Sequence, residues 1–184
     1  MKVFTQSIPG VCLIEPDVHR DARGFFLENY HAQKYKDVGI QETFVQDNHS
    51  SSLRGTLRGL HMQTRHPQAK LVRVIRGGIW DVAVDVRRKS PTFGQYFGTE
   101  LTSENHRQLY IAGGLAHGFV VISAEAEVEY KCSDFYDPTG ELSIAWDDAQ
   151  LAIPWPIDNP TLSAKDRTAP SLADVMAQLP EWKA

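Results

Sequence analysis

Apolar and polar residues alternate along much of this chain, in short runs broken by glycine, proline and aspartate. The strictest case is Glu127-Val128-Glu129-Tyr130-Lys131-Cys132-Ser133. A strand there places Val128, Tyr130 and Cys132 on one face and Glu127, Glu129 and Lys131 on the other. Tyr130 is therefore predicted to point inward, where its hydroxyl needs a partner; core packing and a phenol aimed into a site both fit. Lys70 to Arg76 and Ile79 to Asp85 are β-branched runs about Gly77-Gly78, the pattern of a hairpin closed by a tight glycine turn. Lys70 shares a face with Val72 and Val74, so it either starts on the apolar side or snorkels to water.

Further strands are predicted at Val11 to Glu15, Gln95 to Leu101, Arg107 to Ile111 and Leu115 to Ile122. Another begins at Glu42 and ends in a polar cluster, Gln46 to Ser50, before the turn-prone Ser50-Ser51-Ser52. Gln46 and Asn48 alternate and so face the same way, where amides can read sugar hydroxyls or a base edge. Ile144 to Asp148 and Ile153 to Pro156 read as short, proline-interrupted segments near an edge.

Helical signals are confined to two places. One covers His31 to Asp37, with Gly39 as its stop; the other follows Ser171, with Leu172, Val175, Met176 and Leu179 at helical spacing and Pro180 beyond. Many short strands with few, peripheral helices predict an all-β sandwich or barrel, and 184 residues fit one domain, 1–184. Side chains from separate strands can then converge in one barrel mouth.

Several polar residues break the apolar pattern. Thr56-Leu57-Arg58-Gly59-Leu60-His61-Met62-Gln63 sets an arginine and a histidine in an apolar strand, and neither is buried without cost unless partnered. A lone histidine in a strand is more often a hydrogen-bonded structural residue than a catalyst. Leu115-Ala116-His117-Gly118-Phe119 repeats the arrangement, which makes a shared pocket for His61, Lys70, His117 and Tyr130 a concrete expectation. Arg23 and Glu28 flank Phe25-Phe26, for which the plainest reading is a surface ion pair beside core phenylalanines. Phe135 to Glu141 reads as a turn with exposed aromatics, and Leu162-Ser163-Ala164-Lys165-Asp166 as a polar stretch in a late loop.

The net charge of -4, with no long basic run, lacks the footprint of a nucleic-acid binder. No segment approaches the ~18 apolar residues of a membrane span, and the first residues lack the apolar core of a secretory signal. A soluble, cytoplasmic protein is expected. Cys12 and Cys132 form no Cys-x-x-Cys and are expected to pack as small hydrophobes.

Taken in order, Arg23-Gly24-Phe25-Phe26 with Glu28, Phe44 to Ser50, Leu57-Arg58-Gly59-Leu60-His61-Met62-Gln63, Ser90-Pro91-Thr92-Phe93-Gly94, Ala116-His117-Gly118-Phe119 and Leu162 to Asp166 closely resemble the dTDP-4-dehydrorhamnose 3,5-epimerases. The resemblance covers essentially the whole chain. It implies a cupin-like jelly-roll β-barrel, a homodimer, no metal or cofactor, and a nucleotide-sugar substrate in the pathway to dTDP-L-rhamnose. It implies that His61 is the general base, held by Asp166, and that Tyr130 is the proton donor on the other face of the sugar. Substrate contacts carry over to Arg23, Glu28, Gln46, Asp47, Asn48, Arg58, Lys70, His117, Glu141 and Lys165, with Tyr136 stacking on thymine. Lys70 is the candidate for stabilising charge on the C4 oxygen.

Two departures stand out. Ile111-Ala112-Gly113-Gly114-Leu115 lacks a proline and a phenylalanine that relatives often have there, and Phe135 replaces a tyrosine found in some. Three other readings compete. A mono-epimerase on a related dTDP-4-keto-6-deoxy sugar would keep the fold. A metal-dependent oxygenase would want two histidines and a carboxylate, but the chain offers no His-x-His at His61. A nucleotide-sugar binding module would leave His61, Asp166 and Tyr130 without a task.

Overall fold

The computed structural model describes residues 1–182. Strands β1 (Lys2–Thr5), β2 (Val11–Glu15), β3 (Val18–Asp21) and β4 (Gly24–Leu27) precede a short helix, α1 (Ala32–Asp37). Then follow β5 (Gln46–Leu53), β6 (Leu57–Gln63), β7 (Lys70–Arg76), β8 (Gly78–Val84), β9 (Tyr96–Thr102), β10 (Gln108–Ile111), β11 (Ala116–Val121), β12 (Glu125–Cys132) and β13 (Glu141–Ser143). Two one-turn helices, α2 (Ala164–Arg167) and α3 (Leu172–Val175), close the chain with a 3-10 turn at Met176–Gln178.

The strands form a six-stranded sheet, in the order β1-β2-β10-β7-β12-β5, and a five-stranded sheet, β13-β6-β11-β8-β9. All the pairings within them are antiparallel. This is the expected all-β, cupin-like jelly roll with short peripheral helices. Val72, Val74, Leu109 and Val128 of the larger sheet pack between the layers against Ile79, Leu101, Phe119 and Val121 of the smaller. The outer faces are covered as well. Ile144, Leu151, Leu172 and Leu179 lie over the smaller sheet, and Tyr35 and Ile40 over the larger. Strands buried on both faces cannot alternate, which explains why β11 is buried at every position.

The expected hairpin at Gly77-Gly78 is not one. β7 pairs with β10 and β12 in the larger sheet, whereas β8 pairs with β9 and β11 in the smaller. The glycines are a corner at which the chain changes layers. Gly77 has φ +74, and a Cβ there would lie 2.0 Å from the Glu125 carbonyl oxygen, so the corner admits no side chain.

Other expectations shift. β1 was not foreseen, and the strand expected from Glu42 begins at Gln46 and runs through Ser50-Ser51-Ser52, because this stretch pairs with β12 over its whole length. The serines are inside a strand rather than a turn. Phe25 and Phe26 are 57% and 71% exposed on the two-stranded β3–β4 ribbon, not in a core. Residues 163–167 are a capped helical turn rather than a loop: Ser163 Oγ accepts from the Asp166 backbone N–H at 3.0 Å. Helix α1 starts with His31 as its cap and stops at Gly39, φ +96, as predicted. Cys132 is buried, Cys12 is partly so, and both are free thiols. Among the described residues no helix is long and apolar enough to cross a membrane.

Candidate active site

At one end of the barrel the space between the sheets is not filled by apolar side chains. It opens as two lobes of about 190 and 260 Å³ that share His61, Lys70 and Tyr130 in their walls. The strand patterns explain the polarity. On β7, Lys70 continues the inward row of Val72 and Val74; on β12, Tyr130 and Cys132 continue that of Ala126 and Val128. β5 adds Gln46, Asn48 and Ser50 as the cross-strand partners of Cys132, Tyr130 and Val128.

The opposite wall belongs to the smaller sheet. His61 on β6 and His117 on β11 are directly paired across the strands, and Phe119 is paired with Arg58. Between these pairs β6 has two residues, Gly59 and Leu60, facing the single Gly118. This is a β-bulge. Without it, Arg58 and His61 would point to opposite sides of the sheet; with it, both line the cavity with His117 and Phe119. Glycine is required at the bulge, since a Cβ on Gly59, φ +126, would meet Gly118 Cα at 2.6 Å.

His61 Nε2 lies 2.5 Å from Asp166 Oδ1, and the Asp166 side chain is buried. Burial pushes that carboxyl up, but the bond and charge of His61, the Ser163 cap and the Lys165 charge outweigh it and hold it below its ordinary value. An ionised carboxylate accepts, so Nε2 carries the proton of the neutral ring and Nδ1 keeps a lone pair. That nitrogen has no hydrogen-bond partner among the described residues. Across the cavity Tyr130 comes from the other sheet. Burial, the Cys132 thiol and the Glu141 carboxylate push its phenol up, against the Arg58 charge, so it is a protonated donor at neutral pH. A proton acceptor and a proton donor thus stand on opposing walls.

Lys70 Nζ lies 5.9 Å from the Tyr130 ring centroid. Its pKa is lowered by burial, with Cys132, Asp81 and Glu141 acting against that shift and Lys165 with it. Among the described residues no carboxylate lies within ion-pair distance of it. At the outer lobe Glu141 joins Lys165, at 2.6 Å, to the Tyr136 hydroxyl, at 2.8 Å. Burial raises the Glu141 carboxyl, and bonds from Lys165 and Tyr136 bring it below its usual range. Gln46 accepts from the Tyr136 backbone N–H at 3.0 Å and donates to Asn48 at 3.1 Å. Arg58 donates to Ser52 Oγ through two nitrogens, at 3.1 and 2.9 Å. Among the described residues no group of three or more His, Cys, Asp or Glu side chains is placed to hold a metal ion.

The family model of dTDP-4-dehydrorhamnose 3,5-epimerase matches residues 5–174. The chain belongs to that family. It is 52% identical over 176 residues to the dTDP-4-dehydrorhamnose 3,5-epimerase of Pseudomonas aeruginosa, covering 95% of this chain and 97% of the relative. The enzyme of that name from Salmonella typhimurium is 50% identical, with 94% and 96% covered. Among solved structures, the dTDP-6-deoxy-D-glucose-3,5-epimerase RmlC of Legionella pneumophila, in complex with dTDP-4-keto-L-rhamnose, superposes with a TM-score of 0.96 at 47% identity, covering 100% of this chain and 99% of the other.

Of the residues expected at the site of this epimerase-family chain, eleven side-chain positions gather at the cavity: His61, Asp166, Tyr130, Lys70, Gln46, Asn48, Arg58, His117, Tyr136, Glu141 and Lys165. Three do not. Asp47 alternates with Gln46 and Asn48, so it faces outward and pairs with Lys131 at 3.0 Å. Arg23, on the β3–β4 ribbon, binds Asp21 at 2.5 Å, and Glu28 binds Lys34 at 2.8 Å; neither lines the cavity of its own chain. Asp81, Ser50 and Gln63 were not expected at the site. Asp81 is fully buried behind His117. Ser50 Oγ and Gln63 Oε1 are buried without a partner, and both residues line the cavity. Strand period signals the serine, two residues past Asn48, and Gln63, two past His61.

Proposed function

We propose that this chain epimerises dTDP-4-dehydro-6-deoxy-D-glucose at C3 and C5 to dTDP-4-dehydro-L-rhamnose, as one cupin-type domain in dTDP-L-rhamnose biosynthesis. The observation that carries this reading is the placement of His61 and Tyr130 on opposing sheets across one cavity. C3 and C5 both flank the C4 ketone. His61 Nδ1 takes the proton from one of these carbons, and the C–H electron pair moves into an enolate whose charge gathers on the C4 oxygen. The Tyr130 hydroxyl then delivers a proton to the same carbon from the other side, which inverts it. His61 releases its proton to water and Tyr130 regains one, so the protein is unchanged and the substrate has only been isomerised. Asp166 fixes the His61 tautomer and balances the imidazolium, and Lys70 meets the C4 oxyanion.

Arg58, Lys165, His117, Gln46, Asn48 and Glu141 bind the nucleotide sugar, with Tyr136 as the exposed aromatic for the thymine. The identity of 52% with a relative named as a 3,5-epimerase, over 95% of the chain, favours inversion of both centres over the mono-epimerase reading. The working unit is read as a cytoplasmic homodimer. Phe25 and Phe26 are exposed on a ribbon that also bears Arg23, apart from the cavity of its own chain, and a second copy would give both the apolar pair and the arginine a place.

Product analysis tests the reaction. Proton NMR of the incubated substrate should give couplings for inverted C3 and C5. Inversion at one carbon alone would leave a mono-epimerase, and unchanged sugar would leave a binding protein. Sedimentation tests the assembly: a dimer that Phe26→Asp converts to monomer supports it, and a monomeric wild type contradicts it.

A further inference from the structure

Asp81 has no part in the reaction described so far. It lies on β8 between Trp80 and Val82, on the inward face with Ile79 and Ala83, and it has no solvent exposure. Its two oxygens lie 3.0 and 2.9 Å from Nε2 of His117. Among the described residues it makes no other side-chain hydrogen bond. A buried carboxylate is costly, and an apolar residue would fill the same volume at less cost, so a carboxylate with one partner points to a task at that partner.

The arrangement repeats the one beside it. His117 and His61 are cross-strand partners on the same face of one sheet and line the same cavity. Each is bound through Nε2 to a buried carboxylate behind it, Asp81 in one case and Asp166 in the other. Each therefore has Nδ1 as its remaining ring nitrogen. The proton-accepting task belongs to His61. An imidazole whose Nε2–H is given to a carboxylate can carry a second N–H at Nδ1, and the resulting cation is balanced by the carboxylate behind it.

We propose that Asp81 is a positioning residue that holds His117 with Nδ1 toward the sugar, so that His117 shares with Lys70 the charge developing on the C4 oxygen. This rests on the epimerase reading. The field of Asp81 also reaches Lys70, where it opposes the lowering of the ammonium pKa by burial. One enolate oxygen serves both inversions, so the effect of Asp81 must be the same at C3 and at C5.

The test uses the wild type, Asp81→Asn and His117→Asn. Ring nitrogen-15 NMR of the substrate-free wild type should place protons on both ring nitrogens of His117, Nε2 toward Asp81 and Nδ1 toward the cavity, and Asp81→Asn should change that pattern. Asp81→Asn should lower kcat on the order of 100-fold, the loss typical of one oxyanion donor, with solvent deuterium uptake at C3 and C5 falling equally and the Kd for dTDP unchanged. His117→Asn should match it in kcat and in the equal fall of uptake at the two carbons. A His117 ring that lacks a proton on either nitrogen in the wild type, an unchanged kcat in folded Asp81→Asn, or a loss confined to one carbon would overturn the proposal. Failure of the epimerase reading is seen separately, as absence of deuterium uptake in the wild type.

Discussion

Arg58 and His61 stand three residues apart on β6 and line the same cavity, because Gly59 and Leu60 together oppose the single Gly118. Leu60 exchanges backbone hydrogen bonds with Ile144 instead, at 3.2 and 3.0 Å. Gly59→Ala adds a Cβ that meets Gly118 and the His117 carbonyl in a left-handed backbone. It is expected to destabilise the protein by at least about 1 kcal/mol and to abolish turnover in whatever remains folded. Thermal melting and the deuterium assay of the same preparation check both parts.

In the proposed mechanism Asp166 acts on the reaction through His61, which it contacts. Asp166→Asn keeps the shape but offers an amide in place of a charge, so the ring loses its fixed tautomer and its counter-charge. A fall in kcat of roughly 10⁴-fold is expected, by analogy with other histidine–carboxylate pairs, with little change in dTDP affinity. Steady-state kinetics and calorimetric titration with dTDP separate the two effects.

Acid should unfold the protein through two carboxylates. Asp85 is fully buried; burial raises its carboxyl, but bonds from Arg87, Ser90 and Thr92 bring it below the ordinary value of 3.8, and Asp166 is held below the same value. A depressed folded-state pKa contributes stability that is present in full above the unfolded value and lost as pH falls through the folded one. The melting temperature is thus expected to be insensitive to these groups from pH 7 to about 5 and to drop below about pH 4. Asp85→Ala, which leaves buried Arg87 unpaired, should cost about 3–5 kcal/mol at pH 7 and flatten that acid limb.

Lys70→Met keeps an unbranched stem and removes the ammonium group with its charge. Deuterium uptake at C3 and C5 is expected to fall together, by about 10²- to 10³-fold, while dTDP still binds. Loss of uptake at one carbon only would move Lys70 from the oxyanion to a proton-transfer role.

Strand period made much of this legible from sequence. Alternation placed Tyr130 inward, set Gln46 beside Asn48 and put Lys70 in line with Val72, and all three hold in the barrel. Asp47 was expected among the substrate contacts on the resemblance, although period two sets it opposite Gln46 and Asn48, and it faces Lys131. What alternation could not reveal was the bulge, since one extra residue reverses the facing of everything beyond it. Gly77-Gly78 misled because two glycines suit a corner between layers as well as a hairpin, and only pairing partners separate them. Asp81 escaped because an acidic residue inside an apolar run has no partner until β11 brings His117 beside it. Ser163-Ala164-Lys165-Asp166 was the opposite case, a legible Ser-x-x-Asp cap signal read as a loop.

The opposed pair of His61 and Tyr130 is tested most directly by proton NMR of dTDP-4-dehydro-6-deoxy-D-glucose in deuterium oxide with the wild type, His61→Ala and Tyr130→Phe. Deuterium is expected at both C3 and C5 with the wild type, at neither with His61→Ala, and exchange without full inversion with Tyr130→Phe. Undiminished exchange in His61→Ala, or unimpaired inversion in Tyr130→Phe, would contradict that pairing.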